Sequence, residues 1–192
     1  MPQKKTKTDR RTQLLETARR IVLENGTDAL TLGTLAEKAG VSRPIAYNHF
    51  ATRPGLMIAL YKGIMDRQTQ ALADALKETP PTLGDVSEVL AMAYMNCHED
   101  IGLEWHAIGA ALKGDADMDA ARSEMLEGHA AFFSAALTPL SPLSAEVVTR
   151  RCIGIIGAGE ALSDAMVRGQ VTKQAAVDDF TALIVGWLGA AI

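Results

Sequence analysis

Between Ser42 and Arg53 the sequence reads SRPIAYNHFATR, which sets a hydroxyl, a guanidinium, a phenol, an amide, an imidazole and a second guanidinium within one short stretch. No carboxylate stands among them to form an acid–base pair. Donors of this kind suit an oxygen-rich polyanion: hydroxyl, imidazole and guanidinium groups bond phosphates, and an arginine can also grip a guanine edge with two parallel bonds. The surrounding charge agrees. Residues 1–70 carry 12 Lys and Arg against 6 Asp and Glu, whereas residues 71–192 carry 7 against 17, so the net charge of −4 conceals a basic head on an acidic body. Clustered Lys and Arg favour a polyanionic partner because binding releases condensed counterions.

Such side chains act together only if an element holds them in one direction, and the spacing around them is helical. Leu14, Ala18, Ile21 and Val22 repeat at i, i+4, i+7 and i+8, and Asn25-Gly26 supplies a stop, which predicts a first helix over about 10–25. Thr31 caps a second, two-turn helix that turns Leu32, Leu35, Ala36 and Ala39 inward and ends at Gly40. Ser42 caps a third that ends near His49, with Pro44 tolerated because the first turn needs no intrahelical amide donor. Thr52 caps a fourth from Arg53-Pro54 to about Lys77, closed by Pro80-Pro81 and about 36 Å long at about 1.5 Å per residue. Five more follow: 85–98 with Asp85 and Glu88 as a capping box, then about 101–113, 118–137, 144–168 and 172–191. No strand-period segment, repeat or low-complexity tract separates them, so the expected fold is all-α with about nine helices.

Two short helices joined through Ala39-Gly40-Val41, with another ahead of them, have the layout of a helix-turn-helix over 31–50. In that geometry the second helix presents its N-terminal residues to the major groove of double-stranded DNA. Arg43 and the Pro44 ring then face bases, while Thr31, Ser42, Tyr47, His49 and Arg53 face phosphates, and Asn48 reaches either.

Across residues 10–62 the chain resembles the TetR family of bacterial transcriptional regulators, through LLETARRIVLENG and LTLGTLAEKAGVSRPIAYNHFATRPGLMIALY. Leu35-Ala36, Ala39-Gly40-Val41-Ser42, Tyr47, His49, Phe50, Arg53 and Leu56 fall where that family's pattern has them. The resemblance implies an N-terminal three-helix DNA-binding domain over 8–68 and a helical effector-binding and dimerisation domain over 69–192. It also implies that Arg43 and Pro44 face bases, that Thr31, Ser42, Tyr47 and His49 face the DNA backbone, and that Lys4, Lys5, Lys7 and Arg10 trail along the duplex. Ile45, Ala46 and Val22 depart from the pattern: Ile45 stands for a small hydroxyl residue, Ala46 for a bulky apolar one and Val22 for Phe. Either Ile45 takes over the inward role or it meets thymine methyls in the groove.

The body carries no comparable string. Met92, Met95, Trp105, His106, Met125, His129, Phe132 and Phe133 are large or adaptable groups on three successive helices, suited to line a cavity for a small-molecule effector. His129 is the most telling, since an ionisable group in an apolar stripe needs a partner or a ligand. Gly154, Gly157, Ala158 and Ala161 would let another helix approach, and Phe180, Ile184, Trp187 and Leu188 recur at helical spacing, so the last two helices are expected to pair with those of a second copy in a homodimer.

Other chemistries are weaker. CHED at 97–100 offers metal ligands at adjacent helical positions, which point about 100° apart, so no metal site is expected; a metal- or redox-sensing regulator using these His and Cys side chains remains an alternative. GIIGAGEAL at 154–162 lacks the third glycine and the preceding strand of a dinucleotide loop. With no convergent nucleophile, carboxylate pair or metal set, no enzyme and no cofactor are expected. Cys97 and Cys152 read as reduced thiols, and the longest apolar run is too short for a bilayer, so a cytoplasmic protein without a membrane partner is expected. The resulting expectation is a repressor released from a palindromic operator by an effector, the alternative being an effector-independent DNA organiser.

Overall fold

A computed structural model describes residues 6–102 and 104–189, without the side chains of residues 104 and 105. Lys4, Lys5 and the side chain of Trp105 lie outside the described residues. Among those residues there are nine α-helices and no strand: α1 Lys7–Asn25, α2 Leu32–Lys38, α3 Arg43–Phe50, α4 Arg53–Ala75, α5 Leu83–Ile101, α6 Glu104–Leu112, α7 Ala116–Leu137, α8 Ala145–Val167 and α9 Lys173–Gly189. Short 3-10 turns occupy Thr27–Ala29, Leu76–Glu78 and Thr138–Leu140.

At two of the helix starts that differ from the sequence reading, a threonine captures the end. The Thr6 hydroxyl accepts from Asp9 N at 3.1 Å while Thr6 N donates to the Asp9 carboxylate at 3.2 Å, a capping box that begins α1 at Lys7 instead of about residue 10. Thr82 accepts from Asp85 N at 3.1 Å, so Thr82, not Asp85, caps α5. At the other end, α5 continues past His98 to Ile101 and stops at Gly102, whose φ of 71° suits a glycine.

By contacts the chain forms two compact units, Met1–Ile64 with Glu104–Arg122, and Met65–Leu103 with Ser123–Ile192. Each unit takes in two separate stretches of the sequence. The physical reason lies in α6, which packs on α1 and on the Thr27–Ala29 turn. The first unit buries Leu14, Ala18, Ile21 and Val22 of α1 against Leu32, Leu35 and Ala36 of α2 and Ala46 and Phe50 of α3. In the second, α5 lies against α8 and α9, and Tyr94, Met95, Phe133, Ile155, Phe180 and Ile184 form one continuous apolar core.

Candidate nucleic-acid interface

The turn between α2 and α3 is closed by main-chain bonds. Gly40, at φ 64°, ends α2: its N–H donates to Glu37 O at 3.1 Å and Val41 N donates to Ala36 O at 3.0 Å, the paired bonds of a Schellman motif. Gln13 adds a side-chain tie, donating to Ala39 O at 3.3 Å from α1. Thr31 caps α2 by accepting from Thr34 N at 3.0 Å. Ser42 occupies the cap position of α3 but makes no capping bond through its hydroxyl, so that group faces outward unengaged by the helix end.

On α3 the inward positions are Ala46, fully buried, and Phe50. Ser42, Arg43, Pro44, Tyr47 and Asn48 are exposed, Tyr47 to 52%, while Ile45 and His49 are half-buried. Ile45 therefore does not take over the inward position, which Ala46 keeps with a smaller side chain. Arg43 lies back along the start of α2, where a Cβ on Gly33 would stand 3.8 Å from its Nε and 3.7 Å from the Thr31 hydroxyl. The Arg43 guanidinium thus reaches the N-terminus of α2, beside the Thr31 hydroxyl. Thr34 joins them, its hydroxyl 2.8 Å from that of Thr31. The sequence reading passed over Thr34, although its i+3 spacing from Thr31 was a usable signal.

Arg53 differs from its expected role as a phosphate donor. Its Nε donates to Leu30 O and its Nη2 to Thr27 O, both at 2.9 Å, and the Asp28 carboxylate lies 4.0 Å away. The guanidinium thus fastens the start of α4 to the segment leading into α2. Arg11, which the sequence reading did not single out, sits with its guanidinium carbon 4.9 Å from the Phe50 ring centre and donates to His49 O at 3.1 Å, serving the carbonyl end of α3. Partial burial, and then Arg11, Lys7 and Arg10, hold the His49 imidazole below its usual value, so at neutral pH it is an uncharged ring in a basic neighbourhood.

The corner from α3 to α4 is tight. Ala51 has φ 58° and ψ −53°, and Thr52 N donates to Phe50 O at 2.6 Å, a γ-turn of the uncommon positive-φ kind. Thr52 then caps α4 by accepting from Gly55 N at 3.1 Å. A Cβ on Gly55 would stand 2.4 Å from Phe50 O, so glycine alone permits this close approach.

In the second unit Met95 and His129 are buried, and Met92, Met125 and Phe132 are half-buried. His106 falls in the first unit. The His129 ring stands 6.0 Å from Tyr94 and 5.7 Å from Phe133, with Nδ1 3.4 Å from the Thr69 hydroxyl. Burial lowers its pKa to about 4. Gln68, Tyr94 and His98 are buried too, and sequence reasoning missed Gln68 and Tyr94 because nothing local distinguishes them from ordinary core positions. Cys97 and Cys152 are free thiols, raised by burial, with Asp100 adding to the shift at Cys97 and Cys152 reaching about 11. Among the described residues no three His, Cys, Asp or Glu side chains come together as metal ligands, and no helix is long and apolar enough to cross a membrane.

Phe180, Ile184 and Leu188, expected at a dimer face, lie fully inside the second unit's own core. Gly154 is covered by the Trp187 ring of the same chain, 2.8 Å from where a Cβ would stand, so its small size serves α9 rather than a foreign helix. The side left open carries Ile153, 62% exposed, Trp187, 44% exposed, and Val185, with Gly157 and Ala161 exposed and Ala158 half-buried. A groove of about 260 Å³ between α7 and α8 adjoins Ile153 and Gly157.

Residues 14–60 match the family of bacterial regulatory proteins, tetR family. The chain is 32% identical over 71 residues to the HTH-type transcriptional activator FasR of Mycolicibacterium smegmatis, a match that covers 37% of this chain and 32% of FasR. It therefore spans about a third of the length of that curated relative. Its fold is similar to the fatty acid degradation regulator FadR from Bacillus halodurans, with a TM-score of 0.77 at 18% identity over 97% of this chain and 98% of that one. It is also similar to FadR from Bacillus subtilis in complex with stearoyl-CoA, with a TM-score of 0.70 at 18% identity over 91% and 97%. Residues 14–60 thus carry a helix-turn-helix head of the tetR-family type, and the solved structures extend a likeness of fold over the rest of the chain.

Proposed function

We propose that this chain is a homodimeric DNA-binding transcription regulator that inserts α3 into the major groove at each half of a palindromic operator. The exposed array of Arg43, Pro44, Tyr47 and Asn48 on a helix anchored by Ala46 and Phe50 carries this reading. Residues 8–68 make the DNA contact, and residues 69–192 serve dimerisation and effector binding. Arg43 swings from Gly33 to a guanine edge, Pro44 and Ile45 meet thymine methyls, and Thr31, Ser42, Tyr47 and His49 hold phosphates. Arg53 supports the reading head from inside.

The open side with Ile153, Gly157, Ala161, Val185 and Trp187 receives the same helices of a second copy, since an exposed apolar patch rimmed by polar residues marks an interface. A small molecule held in the second unit, among Met92, Met95, Met125, His129 and Phe132, lowers operator affinity. The continuity of α4 from the head into residues 65–75 supplies a mechanical path. Operator occupancy alone suffices for repression in the cytoplasm, which is why repression is the simpler sign of regulation.

Selection of bound DNA from a random pool tests this reading. A palindrome should be enriched. Arg43→Ala should cost about 1–3 kcal/mol and relax one base position per half-site, whereas Tyr47→Phe should weaken all sequences alike. A pool with no palindrome, or one unchanged by Arg43→Ala, would defeat it.

A further inference from the structure

Most buried polar side chains of the second unit are engaged within the protein, His98 by its ring 4.6 Å from that of Tyr94. Ser87 donates to Leu83 O, Ser134 pairs with Thr149 and Ser163 donates to Glu160 O, so each is satisfied by its own or a neighbouring helix. Gln68, 2% exposed, and His129, 3% exposed, are different: Gln68 Nε2 and His129 Nε2 are buried and bond to nothing in the protein. Native interiors pair nearly all such groups, and an unpaired one marks a place where something else belongs.

The two side chains belong to one layer. Gln68 lies one turn before Leu72 on α4, His129 lies one turn before Phe133 on α7, and Leu72 and Phe133 share one apolar core. Thr69, next to Gln68, has its hydroxyl 3.4 Å from His129 Nδ1. The imidazole tautomer that accepts from that hydroxyl carries its proton on Nε2 and is a donor there. The Gln68 amide nitrogen is a donor in any state. Gln68 therefore asks for an acceptor, and His129 Nε2 joins it as a second donor in the tautomer that accepts from Thr69.

The layer also tells what charge that acceptor carries. No Lys, Arg, Asp or Glu is buried among the described residues of the unit, and burial keeps His129 neutral near pH 7. An ion placed there would have no counter-charge. Around the layer stand the Tyr94 and Phe133 rings and, in the same core, the unbranched Met95, a side chain that repacks readily around a guest.

We propose that Gln68 and His129 together hold the hydrogen-bond acceptor of an uncharged, largely apolar effector, a carbonyl group on an aromatic or aliphatic frame. This names the chemistry of the effector in the regulator reading above and rests on that reading.

The test uses the full-length protein and two matched probe pairs: acetophenone with α-methylstyrene, and benzophenone with 1,1-diphenylethylene. In each pair C=CH2 replaces C=O at nearly constant shape. Dissociation constants measured by ligand-observed NMR should favour the ketone by about tenfold. That preference should fall to near parity in Gln68→Met and in His129→Phe, two variants that keep apolar volume and whose folding is checked by circular dichroism. Equal binding of ketone and alkene by the unaltered protein would overturn the acceptor assignment and leave the effector reading standing. A preference that survives in both variants, or benzoate binding more tightly than acetophenone, would overturn it as well. If none of the probes bound, the effector reading would fall with it.

Discussion

On α3 the polar side chains point away from a small apolar footing, and every turn that holds the helix is closed by backbone or capping bonds. In the second unit the informative polar groups, Gln68 and His129, point inward, each with one Nε2 that no protein atom satisfies. The head gathers its chemistry on consecutive residues of one helix, while the body disperses it over α4, α5 and α7. A surface that meets a long regular polymer can be built from one short stretch. A site that must enclose a small molecule needs several walls, and each wall contributes one or two residues.

The largest effect that sharpens this contrast is a pH dependence that arises chiefly in the body, because burial lowers His129 further than the basic neighbourhood lowers His49 in the head. Folding makes His129 harder to protonate, from an ordinary 6.5 to about 4. As pH falls below about 6.5 the unfolded chain therefore takes up a proton that the folded chain refuses. Stability is complete above that pH and declines toward pH 4, by about 3 kcal/mol at most. His129→Leu should abolish this decline in urea titrations between pH 7 and 4.5. An unchanged slope would mean that the imidazole is solvated after all.

A pair of identical substitutions compares the two regions directly. Gly55→Ala drives a methyl to 2.4 Å from Phe50 O in the head, and Gly159→Ala drives one to 2.8 Å from Phe180 Cζ and 3.2 Å from Tyr94 in the body. Each should destabilise by about 1–3 kcal/mol. Beyond that they should part: Gly55→Ala meets backbone, so α3 must move and operator affinity should drop even in molecules that remain folded. Gly159→Ala meets rings that can repack, and affinity in gel-shift assays should hold. Equal losses of affinity would erase the distinction.

The smallest effect has the opposite sign. Ala51→Gly removes a side chain from the positive-φ corner and should stabilise the protein by up to about 1 kcal/mol, read as a rise in the thermal midpoint. A fall would show that the γ-turn is not the strained element.

Legibility followed the same division. The all-α class and the helix-turn-helix were readable because apolar spacing and the Gly40 stop are local signals, and the exposed face of α3 followed from them. Arg53 was misread because its partners, Thr27 O and Leu30 O, are backbone atoms more than twenty residues away, and a sequence displays no carbonyl orientation. Phe180, Ile184 and Leu188 carried an apolar stripe that core and interface would share, and only packing on α5 and α8 decides between them. Gln68 was invisible for a related reason: one amide on a stripe of Ile64, Met65 and Leu72 has no local mark of its surroundings. The start of α1 at Thr6, by contrast, was present in the sequence as T-x-x-D and was simply passed over.

The Schellman turn at Gly40 carries a consequence for how such a molecule changes over generations. Because Gly40 N and Val41 N close the helix-turn-helix on Glu37 O and Ala36 O, the residues that face outward from α3 are not the ones that hold it up. Arg43, Pro44, Tyr47 and Asn48 can be exchanged with little penalty in folding. Such a head can drift from one operator to another by single substitutions while every intermediate stays folded.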